Sequence, residues 1–196
     1  MFIQTFFEPK LDLDRLRAML DTCGLWARIN AVRSLSPAQM KLLYEACAGA
    51  EALTLDAMVP TGEALVEVIH HGKNSLPVFS HFQKRFCRPD GDDSPDQLWG
   101  YNHNGGLQMA VTGPGYFLAT LTDKGEILVD YAKVPPRKPA GWPTIMGPTA
   151  RAGIFVWAGM TDVLRKVSEH VTIGAAYKGG KAMEQYFALC REDPKA

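Results

Sequence analysis

The sequence predicts an α+β fold: N-terminal helices packed on a strongly curved antiparallel sheet or partial β-barrel, and one late helix before a C-terminal hairpin. Capped, periodic helical segments fill the first part of the chain, whereas short apolar runs alternate with glycine-rich turns from Gln97 onwards. Seven or eight consecutive short strands must hide their edges, which a cup-shaped sheet achieves. With 196 residues, we expect a single domain over 1–196.

The N-terminal part predicts two helices. Residues 2–7 are apolar and suggest an edge strand, and a first helix follows over about 12–22, capped by Asp12 or Asp14 and ended by Gly24. Ser36 and Gln39 form a capping-box pattern with a proline at the first helical position, which begins the second helix. Residues 53–55 are compatible with a short strand.

The stretch 63–87 concentrates three of the five histidines in one strand, turn and helix. Residues 64–70 are an apolar run between two glycines and predict the strand. Ser75 and Pro77 then suit a helix start. The helix would present an apolar stripe at three- and four-residue spacing, formed by Val78, Phe79, Phe82 and Phe86.

Hairpins dominate the second half. Residues 97–102 and 107–112 flank an Asn-Gly turn, a strong hairpin signal. Residues 116–122 and 126–131 flank a three-residue loop, and pairing Thr122 with Glu126 places six apolar residues on one buried face. These six residues are Phe117, Ala119, Leu121, Ile127, Val129 and Tyr131.

The last third predicts a long irregular loop and a final hairpin. Residues 134–148 contain five prolines and two glycines, which suits either a stiff surface connection or a lid. A strand over 154–157 and a helix from Thr161 to about His170 follow. Residues 171–177 and 183–190 then form the C-terminal hairpin around two glycines.

Composition excludes several classes of protein. Basic and acidic residues balance at 21 each, so a nucleic-acid footprint is not expected. No apolar run approaches the roughly 20 residues that span a bilayer. The four cysteines are far apart and lack a CxxC pair, which predicts free thiols in a cytoplasmic protein rather than a zinc site. No sequence motif for a cofactor is present.

The adjacent His70 and His71 are the sharpest candidates for chemistry. Only histidine has an ordinary pKa near neutrality, which suits general acid–base catalysis. Neighbouring residues on a strand point to opposite faces, so only one of the two can face a given cavity. His70 would share a face with Val68, and His71 would share the other with Ile69. Alternatively, one is a hydrogen-bonded core residue and the other lies at the surface.

Lys73, Tyr101 and Asp130 are the candidate supporting groups. Lys73 belongs to a Gly-Lys-Asn-Ser turn beside the histidines and could hold a carboxylate or an enolate-like oxygen, although such a sequence is also ordinary turn chemistry. Tyr101 shares a strand face with Trp99 and could line a pocket. Asp130 lies opposite Leu118 in the predicted hairpin, where it faces either a partly polar cavity or solvent.

Three functions from different classes follow. The first is a cofactor-independent acid–base enzyme, a lyase or isomerase acting on a small, partly apolar molecule, with His70, His71, Lys73, Tyr101 and Asp130 around a pocket in the curved sheet. The second is a non-catalytic binding protein for an apolar ligand such as a fatty acid or an isoprenoid. The third is an interaction module that docks a partner or a second copy of the chain through an exposed sheet edge or the proline-rich loop.

Overall fold

Eight antiparallel strands close into a barrel in simple up-and-down order, so that β8 pairs with β1. The computed structural model describes residues 3–77, 80–91, 96–105, 109, 111–150 and 153–193. The strands are β1 (Val68–Asn74), β2 (His81–Cys87), β3 (Gln97–His103), β4 (Tyr116–Leu121), β5 (Ile127–Asp130), β6 (Met160–Lys166), β7 (Val171–Lys178) and β8 (Lys181–Arg191). Pairing of β1 with β8 satisfies the backbone hydrogen-bonding groups that two free edge strands would expose, as the run of short strands predicts.

Three N-terminal helices cover one side of the barrel. They are α1 (Leu13–Thr22), α2 (Leu25–Arg33) and α3 (Pro37–Ala46). Asp12 caps α1, and Ser36 and Gln39 form the predicted capping box at α3. Apolar side chains of the helices pack on the outward residues of β7 and β8, such as Ile173 and Ala188. The helical layer therefore covers the strands at which the barrel closes.

Phenylalanine rings fill the inside of the barrel where glycines leave room for them. A β-carbon built on Gly100 would lie 2.4 Å from the Phe117 ring, and one on Gly174 would lie 2.3 Å from the Phe187 ring. Glycine at such positions allows a large side chain from a neighbouring strand to cross the lumen. The short helix α4 (Leu55–Met58) and the short helix α5 (Gly153–Val156) with Trp157 pack at opposite ends of the lumen.

Two predicted helices are strands in the structure. The segment predicted as a helix after Pro77 is β2 where it is described, because Phe82, Lys84 and Phe86 alternate inward with period two; Val78 and Phe79 lie outside the described residues. The helix predicted from Thr161 is β6, with Asp162 and Leu164 facing inward. The described late helix is instead α5, where the sequence predicts a strand over 154–157.

Smaller corrections concern the turns. Residues 3–6 form a 3-10 helix rather than an edge strand, and Thr54 caps α4 where a strand is predicted over 53–55. The first hairpin is also wrong, since β3 pairs with β4 and residues 111–112 are helical. The sequence did not indicate α2. The β4–β5 hairpin has the predicted register, with Leu118 opposite Asp130, and its inward face is buried except for Leu121.

Candidate functional site

The five predicted site residues do not line one common cavity. His70 points into the barrel, whereas His71, Lys73, Tyr101 and Asp130 lie on the outward faces of three different strands. The alternation of strand side chains produces this separation. None of the four outward residues can therefore share a cavity inside the barrel with His70.

His70 is a buried core residue with one hydrogen bond. Its Nε2 lies 2.8 Å from the carbonyl oxygen of Met58 in α4, and its ring packs edge-on against Phe86. Because a carbonyl oxygen only accepts, Nε2 carries the proton. Burial lowers the pKa of His70 to about 3, so the imidazole is neutral at pH 7. The His70 side chain therefore connects α4 to strand β1 of the barrel through this hydrogen bond.

His71 forms a hydrogen-bonded pair with a carboxylate. Its Nε2 lies 2.7 Å from Oε1 of Glu192, and the ring of the exposed Trp26 lies 6.5 Å away. Its Nδ1 is buried and has no hydrogen-bond partner among the described residues. Neither ring nitrogen is therefore presented to a substrate in this conformation.

The remaining predicted residues have separate surroundings. Tyr101 is buried on the outside of the barrel beneath Trp142 of the proline-rich loop, with ring centroids 4.8 Å apart, and burial raises its pKa. Asp130 is half-buried and accepts a hydrogen bond from the backbone N–H of Ala132. Lys73 is half-buried opposite His81.

A second polar cluster, missed by the sequence interpretation, lies inside the barrel. The Nζ of Lys84 donates to Asn102 Oδ1 at 2.9 Å, to Asp162 Oδ2 at 2.9 Å and to the hydroxyl of Tyr131. The same amine lies about 5 Å from the centroids of three aromatic rings, among them Phe117. Burial lowers the pKa of Lys84, although Asp162 opposes this effect, and burial raises the pKa of Tyr131. All three amine protons have acceptors, so the cluster is internally satisfied.

The period-two alternation of residues 81–87 was the signal that could have located Lys84 on an inward face. The three- and four-residue spacing of Val78, Phe79, Phe82 and Phe86 instead suggested a helix.

An open groove lies at the end of the barrel near α4. Its volume is about 510 Å³, and three segments line it: the loop after α4, the chain entering β1, and the end of β8. The lining residues are Val59, Pro60, Gly62, Glu63, Val66, Glu67, Val68, Ile69, Arg191, Glu192 and Asp193. The lining of the groove therefore combines apolar side chains with charged ones.

Arg88 fixes the loop that forms one wall of this groove. Its guanidinium donates to the carbonyl oxygens of Val59 at 2.7 Å and Pro60 at 3.3 Å, and it pairs with Asp56. Leu65 has a φ of 57°, a left-handed conformation that is uncommon for a non-glycine residue, and its N–H donates to the Arg88 carbonyl oxygen. The wall is therefore held by hydrogen bonds before any ligand binds.

Three features are absent from the described residues or from the comparisons. Within the described ranges, no group of three or more His, Cys, Asp or Glu side chains could hold a metal ion. Nor does any described helix have the length and apolar character needed to cross a bilayer. Comparison of the chain with known protein families, curated proteins and solved structures finds no match.

Proposed function

We propose that this protein is a binding protein for a small, mainly apolar molecule, and that the groove at the α4 end of the barrel is its binding site. The observation that carries the proposal is the groove itself. Its volume of about 510 Å³ falls within the roughly 300–1,000 Å³ typical of small-molecule sites, which are mostly apolar with a few polar groups.

The lining supports an apolar ligand. Val59, Val68 and Ile69 contribute to the lining of the groove, and Val66 is 50% exposed although it is aliphatic. Burying such surface beneath a ligand is favourable by roughly 25 cal/mol per Å². Because Arg88 already holds the loop wall, little ordering of the chain would oppose binding.

The polar groups at the groove favour binding over chemistry. Glu192, which lines the groove, accepts from His71, while the other ring nitrogen of His71 is buried without a partner among the described residues. An acid–base catalyst needs a nitrogen or oxygen within hydrogen-bond reach of the substrate. The His71–Glu192 pair offers no such imidazole nitrogen.

Two tryptophan substitutions test this proposal with 1-octanol as the probe. Val66→Trp fills the groove, and Leu121→Trp places the same ring at a site of equal exposure, 51%, away from it. We expect calorimetric titration to show octanol binding to the parent and to Leu121→Trp, and binding at least about tenfold weaker to Val66→Trp. Absence of binding to the parent, or equal binding to all three proteins, contradicts the proposal.

An acid–base enzyme that uses the Lys84 cluster inside the barrel is the second candidate. It requires a carbonyl substrate to enter the lumen and replace at least one of the three hydrogen bonds of the Lys84 amine, a buried group whose pKa desolvation lowers. Treatment with a small aldehyde and borohydride, followed by mass spectrometry, tests whether Lys84 is reactive. Modification of Lys84 ahead of the exposed Lys124 supports the enzyme, whereas an unmodified Lys84 in the native protein contradicts imine formation at Lys84.

A further inference from the structure

The charged side chains around the groove differ in whether they already have partners. Asp193 pairs with Arg28 at 2.9 Å, and Glu192 with His71 at 2.7 Å. Glu67 accepts from Arg85 at 3.1 Å, and it also accepts from the indole N–H of Trp142 at 2.6 Å. Three of the four carboxylates are thus occupied, and the fourth, on Glu63, is solvent-exposed.

Arg191 is the exception. The residue is 4% exposed, yet its Nε and Nη1 have no hydrogen-bond partner among the described residues. Its nearest carboxylate is Glu169, whose Oε1 lies 4.0 Å from Nη2, too far for a hydrogen bond. A buried guanidinium in which two nitrogens lack an acceptor is costly, since each unsatisfied donor loses its hydration without replacement.

Other buried polar atoms of the described residues also lack a hydrogen-bond partner. Arg191 is directly opposite His70 on β1, and its backbone N–H donates to the carbonyl oxygen of His170, which precedes β7. The hydroxyls of Ser168 and Thr172, and Nδ1 of His70, are also buried without a partner among the described atoms. The hydroxyls can donate or accept and Nδ1 of the neutral His70 only accepts, whereas the guanidinium only donates and therefore requires an acceptor.

We propose that the ligand of the groove is an amphipathic acid whose carboxylate accepts hydrogen bonds from Arg191 and whose apolar chain lies on Val59, Val66, Val68 and Ile69. This inference rests on the proposed function and adds the chemical class of the ligand. A planar carboxylate matches the paired N–H geometry of a guanidinium. Arg28 and Arg85 offset the charges of Asp193 and Glu67, which weakens the opposition of the groove carboxylates to an anion.

A matched set of eight-carbon probes tests the inference by calorimetric titration at pH 7. Octanoate, 1-octanol and octylamine share a chain and differ in head group, and acetate supplies the carboxylate alone. We expect octanoate to bind at least about tenfold more tightly than octanol, since charge-assisted hydrogen bonds are the strong ones. Octylamine is expected to bind no better than octanol, and acetate much more weakly than octanoate.

Arg191→Met is the decisive variant, and Arg137→Met is its control. Arg137 is paired with Asp90 on the surface and does not line the groove. Arg191→Met should retain octanol binding and lose the advantage of octanoate, whereas Arg137→Met should behave like the parent. Arg191→Lys, which keeps the charge and loses the guanidinium fork, should lose part of that advantage and provides a second reading should the methionine variant not fold.

The outcomes separate the two proposals. If octanol and octanoate bind the parent equally, or if the octanoate advantage survives in Arg191→Met, the inference is wrong and the apolar site remains. If acetate binds as tightly as octanoate, the site takes an inorganic or small organic anion and the amphipathic ligand is rejected. If none of the eight-carbon probes binds, the proposed function itself fails.

Discussion

His70 should make the stability of the protein depend on pH, and a single substitution isolates the effect. In the native state its pKa is about 3, because the imidazole is fully buried, against 6.5 in the unfolded chain. Below about pH 6.5 the unfolded chain therefore binds a proton that the native protein does not. Stability is fully present above pH 6.5 and falls as the pH decreases towards 3.

The size of the effect follows from linkage. Each pH unit within this window changes the free energy of unfolding by about 1.4 kcal/mol for one proton. Between pH 7 and pH 5, His70 alone should therefore cost about 2 kcal/mol of stability. His70→Gln removes the titrating ring and keeps an N–H that can reach the Met58 carbonyl oxygen.

Urea denaturation of both proteins at pH 7 and pH 5 measures this contribution. We expect the parent to lose about 2 kcal/mol more than His70→Gln on going from pH 7 to pH 5. Ionisable groups common to both proteins contribute equally and cancel in this comparison. An equal loss in the two proteins would refute the assignment of His70 as a buried neutral residue.

Two further predictions concern the barrel interior, and urea denaturation measures both. Lys84→Met should cost about 3–5 kcal/mol because it leaves the Asp162 carboxylate buried without its cation, and adding Asp162→Leu should recover most of the loss; no recovery would contradict a paired cluster. Gly100→Ala should cost about 1–3 kcal/mol, since its methyl would meet the Phe117 ring, whereas Gly147→Ala, with no atom within 4 Å, should change stability by less than about 0.5 kcal/mol. Equal effects at the two glycines would show that the lumen is not tightly filled.

Local chemistry explains which parts of the fold could be predicted from the sequence. The capping residues Asp12 and Ser36 determine where α1 and α3 begin, and they act within one helical turn. The loop around Gly125 determines the register of β4 and β5, so the Leu118–Asp130 pairing followed from the sequence. Curvature followed from the number of short strands.

The two misassigned strands show why the rest could not be predicted. β2 and β6 each carry a charged residue on the inward face, Lys84 and Asp162, which resembles the solvated side of a helix. These two residues are 78 positions apart, and only the closed barrel shows that each neutralises the other. The groove is equally non-local, because the chain entering β1 meets the end of β8 only when the barrel closes.

The separation of the predicted site residues has a related reason. Adjacent histidines on a strand necessarily face opposite sides, which the sequence indicates, but their partners come from distant segments: Met58 for His70 and Glu192 for His71. Likewise, the cover over Tyr101 is Trp142 of the proline-rich loop. Segments that are distant in the sequence bury these side chains and so decide whether each can contact a substrate. Local sequence patterns do not contain this information.

Nuclear Overhauser effects between bound octanoate and the methyl groups of the groove locate the ligand on the protein. We expect contacts from the octanoate chain to Val66, Val68 and Ile69 of the parent protein, with the contacts to Val68 and Ile69 absent in Val66→Trp. Contacts only to methyl groups elsewhere on the barrel, or none at saturating octanoate, would show that the groove is not the binding site.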